Sequence, residues 1–257
     1  MWFVFAGGIA LILAVSLLLL PTVRHMRLAL RTIKVAPKLA GEDALPEAAT
    51  VLFITSTPGE AEFACGGTLA KLLERGDKMY LAVLTDGRRP AMPMEFFRKR
   101  AIVRRRSQQE KASAVAGFTD TLFYGLHRGS LSGNEKAVAM ISTLVRELKP
   151  KTIFAFDPDA PSIEPDPPAA GAIAGLAAAR SGQTDEIFYY MTERPNVIVD
   201  ISDSFEAKLR LLSHFERSFG WRVGFRPVLD RVCSRYGRAL GVKYGEGYLT
   251  SIVKKDD

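Results

Sequence analysis

Only two cysteines, Cys65 and Cys233, occur in the 257 residues. Two thiols build neither a disulfide framework nor a Cys-rich zinc site, and they read as buried, reduced side chains. Histidine is scarce as well: His25, His127 and His214 are the full set, and no two stand at the spacing of a metal-binding pair. No zinc finger, RNP-like motif or interleaving of basic with aromatic residues is present, so nucleic acid is not an expected partner. One stretch, residues 2–20, lacks charge altogether.

That uncharged stretch sets the first expectation. Nineteen helical residues at about 1.5 Å each span roughly 28 Å, close to the hydrocarbon thickness of a bilayer. Arg24, Arg27, Arg31, Lys34 and Lys38 follow it, whereas only the terminal amine precedes it. No basic leader or small-residue cleavage site accompanies it, which predicts an uncleaved anchor over residues 1–21. The flanking charge then places the C-terminal domain in the cytoplasm, as a single-pass membrane protein. Residues 22–47 read as a basic juxtamembrane linker, with Pro37, Gly41, Asp43 and Pro46 marking its tether-like end. Its arginines suit either plain topology-fixing charge or contact with anionic lipid.

The remaining residues, 48–257, suffice for one α/β domain with a sizeable core. Apolar residues make up 47% of the chain, which excludes disorder. The net charge of +7 is concentrated at residues 24–38 and 98–106, which points to a local surface role. An apolar run, Val51-Leu52-Phe53-Ile54, predicts a buried strand. A turn follows, then a helical pattern closed by Gly76, then a second apolar run ending at Thr85. Strand, helix, strand in about 35 residues is a βαβ unit. Ligands of such sheets sit at the carboxyl ends of the strands, so residues 56–62 are where chemistry is expected.

Further on, residues 95–116 predict a long helix with six basic residues between 98 and 106, and residues 121–126 a short strand. Asn134 predicts a helix cap, residues 153–156 a buried strand, and residues 186–191 and 197–201 two more strands. Pro167 and Pro168 suit the first turn of a helix running to Arg180.

Pro58, Glu62 and Cys65-Gly66-Gly67-Thr68-Leu69-Ala70 carry a resemblance. Their frame resembles the first motif of the PIG-L/LmbE-like family, zinc-dependent deacetylases of N-acetylglucosaminyl substrates. The resemblance continues through Glu164-Pro165-Asp166-Pro167, the strand at residues 197–201, Lys208 and His214, and the closing stretch Gly241 to Tyr248. It implies a Rossmann-like, mostly parallel sheet flanked by helices, here preceded by one N-terminal transmembrane helix. The reactive positions depart from the family pattern. The first metal-binding His falls on Thr57, the general-base Asp on Gly59 and the second metal ligand on Glu60. The last metal-binding His falls on Pro167, and the catalytic His before it on Glu164. An Asp that assists in the active site falls on Arg128. The family's Arg-x-x-Glu pattern falls on Arg106 and Glu110, or on Arg105 and Gln109.

A catalytic zinc normally has three protein ligands and an activated water. Of Thr57, Glu60 and Pro167, only Glu60 is a competent ligand, so no metal is expected, and Gly59 cannot act as a base. The expected function is therefore a membrane-anchored, zinc-less relative that binds a sugar-containing molecule or a protein partner. Its expected ligand-binding residues are Glu60, Arg106, Glu164, Asp166 and His214. The alternative is an active N-deacetylase. There Glu60, Glu62, Asp86, Asp157, Asp159, Glu164 and Asp166 would converge as an all-oxygen site for Mg²⁺ or Mn²⁺. The plain reading of each acid is a turn residue or cap.

Overall fold

The structure is a computed structural model that describes residues 39–40, 44–47, 49–87, 95–215 and 226–253. Residues 2–20, expected to form the membrane anchor, lie outside the described residues, as does most of the linker. Among the described residues no helix is long and apolar enough to cross a membrane.

Eight strands form one sheet. In chain order they are β1 (Leu39–Ala40), β2 (Thr50–Thr55), β3 (Lys78–Thr85), β4 (Asp120–Leu126), β5 (Thr152–Phe156), β6 (Glu186–Tyr190), β7 (Val197–Asp200) and β8 (Gly245–Ile252). The helices are α1 (Glu60–Arg75), α2 (Glu95–Ala116), α3 (Glu135–Leu148), α4 (Asp166–Ser181), α5 (Phe205–Ser213) and α6 (Arg226–Leu240). The order across the sheet is β1-β7-β8-β6-β5-β2-β3-β4, and β8 alone among these runs antiparallel to its neighbours. The expected mostly parallel α/β sheet is thus present. Leu39 and Ala40 pair with Val197 and Ile198, so the sheet reaches upstream of residue 48, into the stretch read as tether.

Parallel strands covered on both faces are apolar throughout rather than alternating. In β2, Val51 and Phe53 face one core while Leu52 and Ile54 face the other. The first core lies under α1, α2, α5 and α6, with Phe53 stacked on Phe154 at 4.6 Å between ring centroids. The second lies under α3 and α4, built from Ile141, Val145, Ile173 and Ala177.

Helix α6 was not foreseen, although Leu229, Cys233 and Tyr236 recur at helical spacing and are buried. Asn134 caps α3 as expected, its side chain accepting from the Ala137 amide at 3.0 Å.

The chain runs from β2 outward through β3 to β4, then returns to place β5 on the other side of β2. The crevice between the carboxyl ends of β2 and β5 is therefore the topological switch point, where ligands of such folds bind. Residues 56–59 follow β2, and residues 157–165 follow β5.

Candidate functional site

Helix α1 begins with an unusual cap. Gly59 has φ +86°, in the left-handed region that favours glycine, and no side chain caps the helix. Glu60 instead folds back over the turn. Its Oε2 accepts from the Ser56 amide at 3.1 Å, the Ser56 hydroxyl at 2.6 Å and the Thr57 amide at 3.2 Å. Its Oε1 accepts from the Tyr190 hydroxyl at 2.8 Å. Both carboxylate oxygens are thus engaged by the protein's own donors. Burial pushes the Glu60 carboxyl above its ordinary range, against these hydrogen bonds.

Above Gly59 lies Phe215. A Cβ added at Gly59 would come within 3.1 Å of the Phe215 ring. The position aligned with the general base is thus a hydrogen atom under a phenyl ring. On the other side, the Gly59 amide donates to Gln109 Oε1 at 2.7 Å, and Gln109 Nε2 donates to Glu62 Oε1 at 2.5 Å. A glutamine can accept from one partner and donate to the other, which a carboxylate cannot. Glu62 is fully buried, its Oε2 has no hydrogen-bond partner among the described residues, and burial raises its pKa to about 7.

The register of the basic helix resolves clearly. Arg105 is buried and reaches the turn, donating to the Gly87 carbonyl at 2.9 Å and the Pro58 carbonyl at 3.4 Å. Arg106, the residue expected at the site, lies exposed on the outer face and pairs with Glu110 at 3.0 Å. Arg105 and Gln109, four residues apart, are the inward pair.

Beyond β5, Asp166 is buried at the start of α4 and holds the loop after β4, accepting from the Gly129 amide at 2.6 Å and the Leu131 amide at 3.3 Å. Glu164 forms an ion pair with Arg128. Asp157 accepts from the Asp159 amide at 3.0 Å, and Asp159 pairs with Arg194 at 3.1 Å. His127 is exposed, 3.9 Å from Asp86. His214 closes α5 and is partly exposed, next to buried Phe215. The structure therefore brings Glu60 to the turn after β2, and Glu164 and Asp166 to the loops after β4 and β5. Arg106 lies outside both groups.

The group implied by the resemblance is zinc, and the residues do not fit it. Thr57 offers a weak hydroxyl, Pro167 offers no ligand atom, and both oxygens of Glu60 are taken by neutral donors. No three His, Cys, Asp or Glu side chains among the described residues are placed to hold a metal ion.

Behind this turn, α1 is pinned from the opposite side. Glu246 accepts from the Gly67 and Thr68 amides, each at 2.9 Å, and from Thr68 Oγ1 at 2.6 Å, and pairs with Lys208 at 2.5 Å. The two glycines permit this close approach. A Cβ at Gly66 would lie 2.7 Å from Lys208, and one at Gly67 would lie 2.6 Å from Ile201. These framing residues hold the helix in place, and they are the ones the chain shares with the resembled motif.

Residues 52–177 match the family described as PIG-L, GlcNAc-PI de-N-acetylase. Residues 52–177 are a PIG-L (LmbE-like) family domain. Among similar proteins, the diacetylchitobiose deacetylase of Thermococcus kodakarensis is 26% identical over 217 residues, covering 77% of this chain and 81% of the relative. The solved N,N'-diacetylchitobiose deacetylase of Pyrococcus horikoshii shares the PIG-L fold at a TM-score of 0.73 and 24% identity, over 82% of this chain and 86% of its own. A 4-carboxy-2-hydroxymuconate hydratase of Pseudomonas putida shares it too, at a TM-score of 0.62 and 16% identity, over 82% and 98% of the two chains. The PIG-L fold therefore supports more than one reaction, and chemistry has to be argued from the site.

Phe215 and Tyr190 are the site residues that sequence reasoning missed, while Gln109 was named there with Arg105 as one of two placements. Phe215 neighbours His214, which was singled out, and Gln109 stands in the Arg-x-x-Glu frame. Nothing local in the sequence pairs Tyr190 with Glu60.

Proposed function

We propose that this chain is a membrane-anchored PIG-L relative that binds a sugar-containing ligand at the switch-point crevice and no longer hydrolyses an acetamide. The observation that carries the reading is Gly59 under Phe215, beside a Glu60 whose oxygens are already engaged. Amide hydrolysis through a metal-bound water needs a base that accepts the water's proton and a cation that lowers its pKa. At the position of the first stands a glycine, and at two positions of the second stand Thr57 and Pro167. The ligand class is taken from the relatives, which are named for a diacetylated amino sugar. Anchoring is supported by the uncharged run at residues 2–20 and the arginines after it, which orient the domain toward the cytoplasm.

The test is zinc content together with ligand binding on the full chain in detergent. After dialysis against trace zinc, elemental analysis is expected to find no retained metal. Calorimetry with diacetylchitobiose is expected to show binding, with no acetate released. Stoichiometric zinc accompanied by acetate release would overturn the reading. Resistance to alkaline extraction from membranes tests the anchor separately.

A second reading, a hydrolase working through carboxylates alone, has one observation on its side. Glu62 is an acid whose pKa of about 7 suits proton transfer at neutral pH. Should turnover be found and none of Glu60→Ala, Glu62→Gln and Glu164→Ala reduce it, that site assignment fails.

A further inference from the structure

Helix α2 carries seven basic residues against two acidic ones, and it sorts them by face. At about 100° per residue, Lys99, Arg100, Arg104, Arg106 and Lys111 fall on one half of the helix, and all are exposed. Ala101, Arg105, Gln109, Ala112 and Ala116 fall on the other half and are buried. Val103 stands within the basic face and is 68% exposed. Arg106 is braced by Glu110, and its guanidinium lies 4.6 Å from the centroid of the Phe123 ring. Lys99, Arg100 and Arg104 pair with no acid among the described side chains.

We infer that this face of α2 docks on an anionic bilayer, with its arginines on lipid phosphates and Val103 at headgroup depth. Charge complementarity selects the occupant: a dense row of cations around one apolar side chain, three of them without an acidic partner among the described residues, matches the boundary between anionic headgroups and acyl chains. Single-stranded nucleic acid would call for exposed aromatic platforms among the cations; the ring that lies against this face, Phe123, is half-buried and already covered by the Arg106 guanidinium. The face also adjoins the candidate site. Arg105, between exposed Arg104 and Arg106, donates to the carbonyls of Gly87 and Pro58. A bilayer lying on the outer face would therefore run alongside the loops after β2 and β3, and the crevice would meet ligands at headgroup level. This inference rests on the membrane part of the reading above, and not on whether the crevice binds or hydrolyses.

The experiment places an environment-sensitive dye on Val103→Cys in the full chain. Cys65 and Cys233 are buried, so the dye goes to the new thiol. The chain is reconstituted in vesicles of phosphatidylcholine alone or of phosphatidylcholine with phosphatidylglycerol, and an aqueous quencher is added. Docking predicts a shielded dye only with phosphatidylglycerol, and loss of shielding in about 1 M salt, where the screening length falls to about 3 Å. Each basic side chain near an anionic surface favours contact about fivefold, so loss of three lowers the docked-to-free ratio roughly a hundredfold, and the reversal Arg100→Glu/Arg104→Glu/Arg106→Glu should lower it by at least that much. Arg100→Gln/Arg104→Gln, which reverses no charge, should show a partial loss with an unchanged melting profile. Equal quenching in the two vesicle types, or shielding that survives the triple reversal, overturns the proposal. So does shielding by a soluble acidic polymer where vesicles give none. A chain that fails to insert sinks the anchor, and the dye then reports docking of the same chain added to preformed vesicles.

Discussion

Arg128 and Glu164 form an ion pair that joins the loop after β4 to the loop after β5. In the resembled frame the first position is an Asp and the second a His, so the two departures are complementary in charge and in space. Together the two departures place opposite charges in contact across the two loops. The side chains are 17% and 44% exposed, so the pair is partly screened and contributes at most about 1 kcal/mol. Arg128→Glu and Glu164→Arg should each lower the urea midpoint, and the double swap should recover most of the loss. Strictly additive single effects in this double-mutant cycle would show that the two loops are not coupled.

Gly59 and Phe215 make a second coupled pair. Restoring an acid by Gly59→Asp would put a side chain at φ +86° and push its Cβ to 3.1 Å from the ring. Backbone strain and crowding together should destabilise the chain by about 2–4 kcal/mol. Phe215→Ala should itself cost about 3–5 kcal/mol by opening a cavity. The double variant should be more stable than the sum of the two, because the ring no longer opposes the new Cβ. Denaturant melts measure this directly, and purely additive losses would mean that the ring does not crowd Gly59.

The Lys208–Glu246 pair is buried at both ends and pins the α1 backbone at Gly67 and Thr68. Removing one partner leaves an uncompensated charge in the core, so Lys208→Met should destabilise by about 3–5 kcal/mol. Lys208→Met with Glu246→Gln removes the buried charge but turns one of two accepting oxygens into a donor facing α1, so it should recover part of that loss and not all of it. If the double variant is the less stable of the two, the stranded-charge account is wrong.

The sheet and most helices were legible because they rest on local chemistry. The run Val51 to Ile54 is apolar on both strand faces, Gly76 stops α1, and Asn134 caps α3. The strand Leu39–Ala40 was not legible, since two residues carry no period and only pairing with β7 orders them. At the site, the losses could be read by position: at Thr57 and Gly59 against the glycine frame, a metal and the base position, and at Pro167 against the stretch Glu164 to Pro167. What replaces them could not, because Tyr190 reaches Glu60 across 130 residues of sequence and Phe215 reaches Gly59 from the end of α5. The choice between Arg105 and Arg106 was open to local reasoning: Ala101, Arg105, Gln109 and Ala112 share a helix face that Arg106 does not.

Glu62 gives the sharpest pH signature. Its carboxyl is fully buried with one oxygen unpartnered, and its pKa is raised from 4.5 to about 7. The folded chain therefore keeps this proton after the unfolded chain has released it. Stability from this group is fully present below about pH 4.5, declines as pH rises toward 7, and levels off above that. The shift corresponds to a loss on the order of 3 kcal/mol between those limits. Glu62→Gln keeps the shape and can still accept from Gln109, but it cannot ionise. Its stability relative to the natural chain should rise between pH 4.5 and 7 and stay constant above pH 7. The gain should fall short of the full figure, because the new amide has no acceptor where the unpartnered oxygen lies. Urea melts of both chains across this range decide the matter. Parallel curves would mean that Glu62 ionises at its ordinary pH in the folded chain and finds a partner for its charge.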